Sequence, residues 1–146
     1  MKNEANKNLI DHAFIMAAGH GTRMRPLTDT MPKPMVSVAG KPMIDHIIEK
    51  LTEAGVKNIT INTHYLSQVI EKHIKSIRCP QINISRETVL LDTGGGVKKA
   101  LTYIGDTVFY HINGDAFWTE DKTGKPALME LADAWDDSKM DILMLL

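Results

Sequence analysis

Cysteine is nearly missing, with Cys79 the only one among 146 residues. No disulfide can form within the chain, and a free thiol fits a reducing compartment. An excess of one charge is missing as well. Seventeen basic side chains stand against 18 acidic ones, for a formal net charge of −1. Non-specific nucleic-acid binding needs clustered Lys and Arg, and no basic block is present. No apolar run approaches the roughly 18 residues of a membrane span. The leader MKNEANKNLIDH lacks the apolar centre of a secretory signal. Residues 1–12 are therefore expected to form a polar tail, and residues 13–146 one domain. Repeats, low-complexity tracts and linkers are absent too. What remains is an ordinary globular composition, 43% apolar and 24% charged. A cytoplasmic protein that binds neither membrane nor nucleic acid is the expectation.

Several standard chemical motifs are also lacking. No His, Cys or Asp cluster has zinc spacing, and no serine stands in a nucleophile elbow. No Gly-Lys-Ser or Gly-Lys-Thr completes a P-loop, and Met24 stands where a Rossmann fingerprint needs its third glycine. Against this background the stretch Ala13 to Pro42 stands out. A short apolar run, Phe14 to Ala18, breaks at Gly19 and Gly21. Arg23 and Arg25 follow, and Lys33 sits between Pro32 and Pro34. Small residues let backbone approach a ligand closely. Free N–H groups in such a turn make an anion-binding concavity, and Arg23 and Lys33 add charge-assisted contacts. The stretch reads as a phosphate-binding loop, or more plainly as a tight turn with solvated charges.

Strands alternate with helices along the rest of the chain. Phe14–Ala18 is expected as a buried strand, followed by a long loop from Gly19 to about Gly40. Ile44, Ile47, Ile48, Leu51 and Ala54 recur at helical spacing, and Gly55 stops that helix. Strands are predicted at 56–62, weakly at 81–85, strongly at 107–112, and at the apolar terminus 140–146. Helices are predicted over 66–77, from Gly94-Gly95-Gly96 onward, and over 126–135. Such alternation implies an α/β fold, Rossmann-like, with a mostly parallel sheet flanked by helices. In open sheets of this kind ligands gather beyond the C-terminal strand ends. Gly19 onward, Asn62 to Tyr65 and Asn113 to Asp115 all fall there. Asp115 after Asn113-Gly114 reads as an Asx turn or as a carboxylate able to hold Mg²⁺. Gly94 to Gly96 read as capping or as close approach to a ligand at a helix start.

Three segments carry a resemblance. They are AAGHGTRMRPLTDTMPKPMVSVAGKPMI, then LDTGGGVKKAL over Leu91–Leu101, and INGDAFW over Ile112–Trp118. Together they resemble the sugar-1-phosphate nucleotidyltransferases, on the branch of uridylyl- and guanylyltransferases that act on N-acetylmuramate 1-phosphate and mannose 1-phosphate. The resemblance runs from about Ala13 to the last residue. It implies the nucleotide-diphospho-sugar transferase fold and transfer from UTP, or next GTP, to a sugar 1-phosphate with release of pyrophosphate. It implies Gly21, Thr22 and Arg23 at the triphosphate, Ala17, Ala18 and Gly19 beside base and ribose, and Gly94 and Gly95 at the base. It further implies Arg23 and Lys33 as catalytic cations, Mg²⁺ on Asp115, and Asn113 at the sugar phosphate. Catalytic domains of that family are longer. The chain is therefore expected to be C-terminally incomplete, with an apolar last strand open to self-association or a partner chain. Two alternatives stay open. One is a nucleotide-binding module or half-domain without complete activity. The other is a choline-phosphate-type cytidylyltransferase.

Overall fold

The computed structural model describes residues 9–78, 80–120 and 124–145. Cys79, residues 1–8 of the expected tail and part of the polar turn before Pro126 lie outside them. Four parallel strands form the centre: β1 (His12–Met16), β4 (Asn58–Thr63), β5 (Gln81–Arg86) and β6 (Tyr110–Asn113). Their order is β5-β4-β1-β6. The first strand of the chain is thus interior, with β4 and β6 hydrogen-bonded on either side.

Alternation along the strands decides which layer each residue faces. Ala13 and Ile15 of β1, with Ile59 and Ile61 of β4, join one core. Ile44, Ile47 and Leu51 of α1 (Met43–Glu53) complete it, with Ile70 and Ile74 of α2 (Ser67–Ile74) and Leu128 and Ala132 of α4 (Ala127–Ala134). Phe14 points the other way and packs with Ala100 and Ile104 of α3 (Asp92–Ile104). Burying each Ile, Leu or Phe side chain among these contributes about 1.5–3 kcal/mol. Among the described residues, no helix is long and apolar enough to cross a membrane.

The long loop after β1 is not without structure. It carries three short 3-10 turns, at Thr22–Met24, Leu27–Asp29 and Lys33–Met35. A two-stranded ribbon follows, β2 (Ser37–Val38) against β3 (Lys41–Pro42), and leads into α1. Several expectations shift at their ends: the strand predicted at 107–112 is Tyr110–Asn113, and the one at 56–62 is Asn58–Thr63. β1 begins at His12 and not at Phe14, while Ile10 already packs on the core. α3 begins at Asp92, so Gly94 to Gly96 lie inside its first turns and not ahead of it.

One expectation fails. Met140 to Leu145 form no strand, and Ile142 and Met144 are 78% and 70% exposed. An apolar run becomes a strand only where a neighbour supplies hydrogen bonds and a face to pack on. The described residues offer this run neither.

Candidate functional site

The C-terminal ends of β1, β4 and β6 open on one cleft of about 320 Å³. The turn after β1 brings Ala17, Ala18, Gly19, Gly21, Thr22 and Arg23 to its wall. The third 3-10 turn adds Lys33, and Asn113 and Asp115 enter after β6. Arg23, Lys33 and Asp115, far apart in sequence, therefore share one cavity. A second hollow, lined by Pro26, Leu27, Thr30, Met31, Val36 and Ser37, carries no ionisable side chain.

Two close backbone approaches build this convergence. Gly21 adopts φ +63°, and a Cβ there would stand 3.0 Å from the Cβ of Lys33 and 3.1 Å from Cγ2 of Thr28. Thr28 Oγ1 also donates to the Gly21 carbonyl at 2.8 Å. The glycine turn and the stem of Lys33 are packed against each other. Gly114 N donates to the Met16 carbonyl at 2.7 Å, tying the turn after β6 to the end of β1. A Cβ on Gly114 would lie 2.5 Å from that carbonyl oxygen and 3.1 Å from Pro34. Only glycine lets Asp115 come this close to the neighbour of Lys33. The result is an ion pair between Lys33 Nζ and Asp115 Oδ2, with side chains 25% and 39% exposed. Arg25 turns elsewhere and pairs with Asp29 at 3.3 Å.

The opposite wall is dry. Asn62, at the end of β4, is 1% exposed and Glu87, just after β5, is 3% exposed. Asn62 Nδ2 donates to Glu87 Oε1 at 2.8 Å. Ala17 N donates to Asn62 Oδ1 at 2.7 Å, and Leu91 N donates to Glu87 Oε2 at 2.9 Å. The Ala17 amide is therefore already engaged, and the residue is 2% exposed where it borders the cleft.

Two of the sequence-derived candidates stand apart. Gly94 and Gly95 do not line the cleft, where Asp92 and Thr93 stand at the start of α3. Gly95 and Gly96 are both close contacts: a Cβ on Gly95 would stand 2.9 Å from Leu91 Cβ, and one on Gly96 3.0 Å from Asn62 Nδ2 and 3.1 Å from Glu87 Oε1. His64 hydrogen-bonds through Nδ1 to the Glu87 carbonyl at 2.9 Å and does not line the cleft. Trp118 packs against the core beneath Lys50, whose Nζ lies 5.2 Å from its ring centre. Glu87 was missed from sequence. The signal that picked out the ends of β1, β4 and β6 applies equally to β5, but that weak strand was not followed to its end.

With the fold and cleft in hand, known proteins give the class. Residues 12–145 match the family model described as Nucleotidyl transferase, and the chain belongs to that family. It is 41% identical over 139 residues to an N-acetylmuramate alpha-1-phosphate uridylyltransferase of Caulobacter vibrioides, covering 92% of this chain and 57% of that protein. A mannose-1-phosphate guanyltransferase of Gibberella zeae is 42% identical over 107 residues, 70% of this chain and 29% of that one. A crystal structure of UDP-glucose pyrophosphorylase complexed with UDP-glucose superposes with a TM-score of 0.75 at 26% identity, covering 85% of this chain and 52% of the other. The chain thus spans about half or less of the length of these relatives.

Proposed function

We propose that this chain is the nucleotide-binding part of a sugar-1-phosphate nucleotidyltransferase, which joins a nucleoside triphosphate to a sugar 1-phosphate and releases pyrophosphate. UTP is the favoured donor and GTP the next. The observation that carries this reading is the meeting of Arg23, Lys33 and Asp115 in one cleft beside the glycine turn.

Gly21, Thr22 and Arg23 cradle the triphosphate, while Ala17, Ala18 and Gly19 lie beside base and ribose. Gly94 and Gly95 act at the base only through the start of α3, since neither lines the cleft. Arg23 neutralises the departing pyrophosphate. Lys33 contacts the α-phosphate and steadies its charge during attack. Asn113 meets the sugar phosphate. The sugar-phosphate oxygen attacks the α-phosphorus in line, and the α–β phosphoanhydride bond breaks. The attacking phosphate is already anionic, so little proton transfer is needed. Positioning and charge stabilisation then carry the rate.

Mg²⁺ belongs to this proposal. Among the described residues no group of three or more His, Cys, Asp or Glu could hold a metal. A single cleft carboxylate still fits, because Mg²⁺ is commonly held by one or two carboxylates, with waters and substrate phosphates completing its shell. Asp115 is that carboxylate, and the ion would offset the negative charge of the phosphates.

Pyrophosphate release from a panel of triphosphates and sugar 1-phosphates tests the reading and identifies the base. Release with CTP and choline phosphate alone would favour the cytidylyltransferase alternative. Calorimetry with UTP and Mg²⁺ isolates binding. Heat without pyrophosphate release would leave a nucleotide-binding module, and no heat with any triphosphate would overturn both readings.

A further inference from the structure

We propose that Glu87 and Asn62 are a positioning couple that sets the nucleotide side of the cleft. The proposal rests on the nucleotide reading above and adds residues that do not carry the phosphate chemistry. Glu87 accepts one N–H on each carboxylate oxygen, from Asn62 and from Leu91. Asn62 passes the constraint on by accepting from the Ala17 amide. A chain of three hydrogen bonds, two buried and the Leu91 bond part-buried, therefore links the residue before α3, the ends of β4 and β5, and the turn after β1.

Its polarity converges on Glu87 from both ends. Glu87 only accepts, Asn62 both donates and accepts, and the two backbone amides only donate. The geometry leaves little slack. α3 lays the backbone of Gly96 directly on the couple. Asp92, beside the anchored Leu91, is held at φ +56°, a conformation that non-glycine residues seldom adopt. Asp92 and Thr93 then reach the cleft on one side and Ala17 and Ala18 on the other. The separation between these two surfaces is what a flat base must match, and the couple fixes it.

An exchange of polarity tests this. Glu87→Gln leaves one acceptor facing two donors. Asn62→Asp sets a second carboxylate oxygen against Glu87. The double variant, Asn62→Asp with Glu87→Gln, restores every donor to an acceptor with the direction of the central bond reversed. Three readouts are taken on this chain: UTP and GTP affinity by calorimetry with Mg²⁺, melting temperature, and hydrogen exchange of the Ala17 and Leu91 amides without ligand.

Each single variant should weaken binding about tenfold or more, the scale of a buried polar group left without a partner. The double variant should return to within about threefold of the parent, with both amides protected again. If Asn62→Asp does not fold, Glu87→Gln and the double variant still carry the comparison. Single variants that melt lower but bind like the parent would overturn the proposal, because the couple would then be structural only. So would a double variant with restored amides and melting temperature but unrestored affinity, which would mean that Glu87 touches the base itself. A parent chain that binds neither nucleotide overturns the nucleotide reading, and this proposal falls with it.

Discussion

The two walls of the cleft are built on opposite principles. On one side Lys33 and Asp115 form an ion pair with both side chains partly in water. Exposed pairs of this kind contribute about 0–1 kcal/mol to stability. The fold gains little from it, so each partner can be given up to a ligand. On the other side Asn62 and Glu87 are out of water, and each makes hydrogen bonds to the other and to backbone. Breaking a buried network leaves a group unpaired, at a cost of about 1–3 kcal/mol. Charge stands where it can be exchanged, and shape is held where it cannot.

The contrast breaks most readily at Gly114, where the charged wall rests on backbone packing. Gly114→Ala would drive a Cβ into the Met16 carbonyl. A stability loss of about 1–3 kcal/mol is expected from such overpacking, read as a lower urea midpoint. Calorimetry should also show weaker UTP binding, because Asp115 moves away from Lys33. An unchanged midpoint would mean that the turn after β6 relaxes freely and that the charged wall is not held by this contact.

Lys33→Ala is expected to have the opposite signature. Pyrophosphate release should fall at least about tenfold, or about 1.4 kcal/mol of barrier. Unfolding free energy from urea melts should stay within about 0.5 kcal/mol of the parent. Arg23→Ala should behave alike. A large loss of stability with unchanged turnover would erase the distinction between the walls.

The charged wall was legible in the sequence, while of the buried wall only Asn62 was, for a physical reason. Gly19, Gly21, Arg23, Lys33 and Asp115 stood out because a glycine turn and charged side chains follow apolar strands, the place where ligands gather in open sheets. The parallel sheet was legible from apolar periodicity, since strand and helix faces must alternate to bury Ile15, Ile47 and Ile61. Glu87 gave no such sign. A lone Glu after a weak strand reads as a surface residue until β5 is placed beside β4, with Ser85 opposite Asn62. The terminal run misled in the other direction. Ile142 to Leu145 have strand composition, but pairing is a property of two segments and composition belongs to one.

A smaller effect is expected where β6 meets α4. Tyr110 is buried, and its hydroxyl donates to the Leu128 carbonyl at 2.7 Å. Burial pushes its pKa up to about 12, with Asp133 adding to the shift. Tyr110→Phe removes this bond to a carbonyl that α4 also engages, a loss of about 1 kcal/mol in unfolding free energy from urea melts. This contact lies away from both walls, so UTP affinity should not change. A drop in affinity would extend the positioning network to α4.

The smallest effect is one of pH. His111 stacks on Phe14 with ring centres 5.5 Å apart, and Phe14 also lies under Gly96 beside the buried wall. Although His111 is exposed on the edge strand, partial desolvation holds its imidazole below its ordinary value of 6.5. As pH falls below about 6.5 the unfolded chain therefore takes up a proton that the folded chain resists. Stability declines through that window and levels off once the folded imidazole is protonated too. His111→Gln removes the titration, so the variant should gain on the parent between pH 7 and 5. Urea midpoints of the two proteins across that range read the difference directly, since their other groups are shared. If the gap between them stays constant with pH, the His111 imidazole is solvated and Phe14 does not shield it. If UTP affinity at pH 7 also falls in the variant, the dry wall extends through Phe14 to the outer edge of β6.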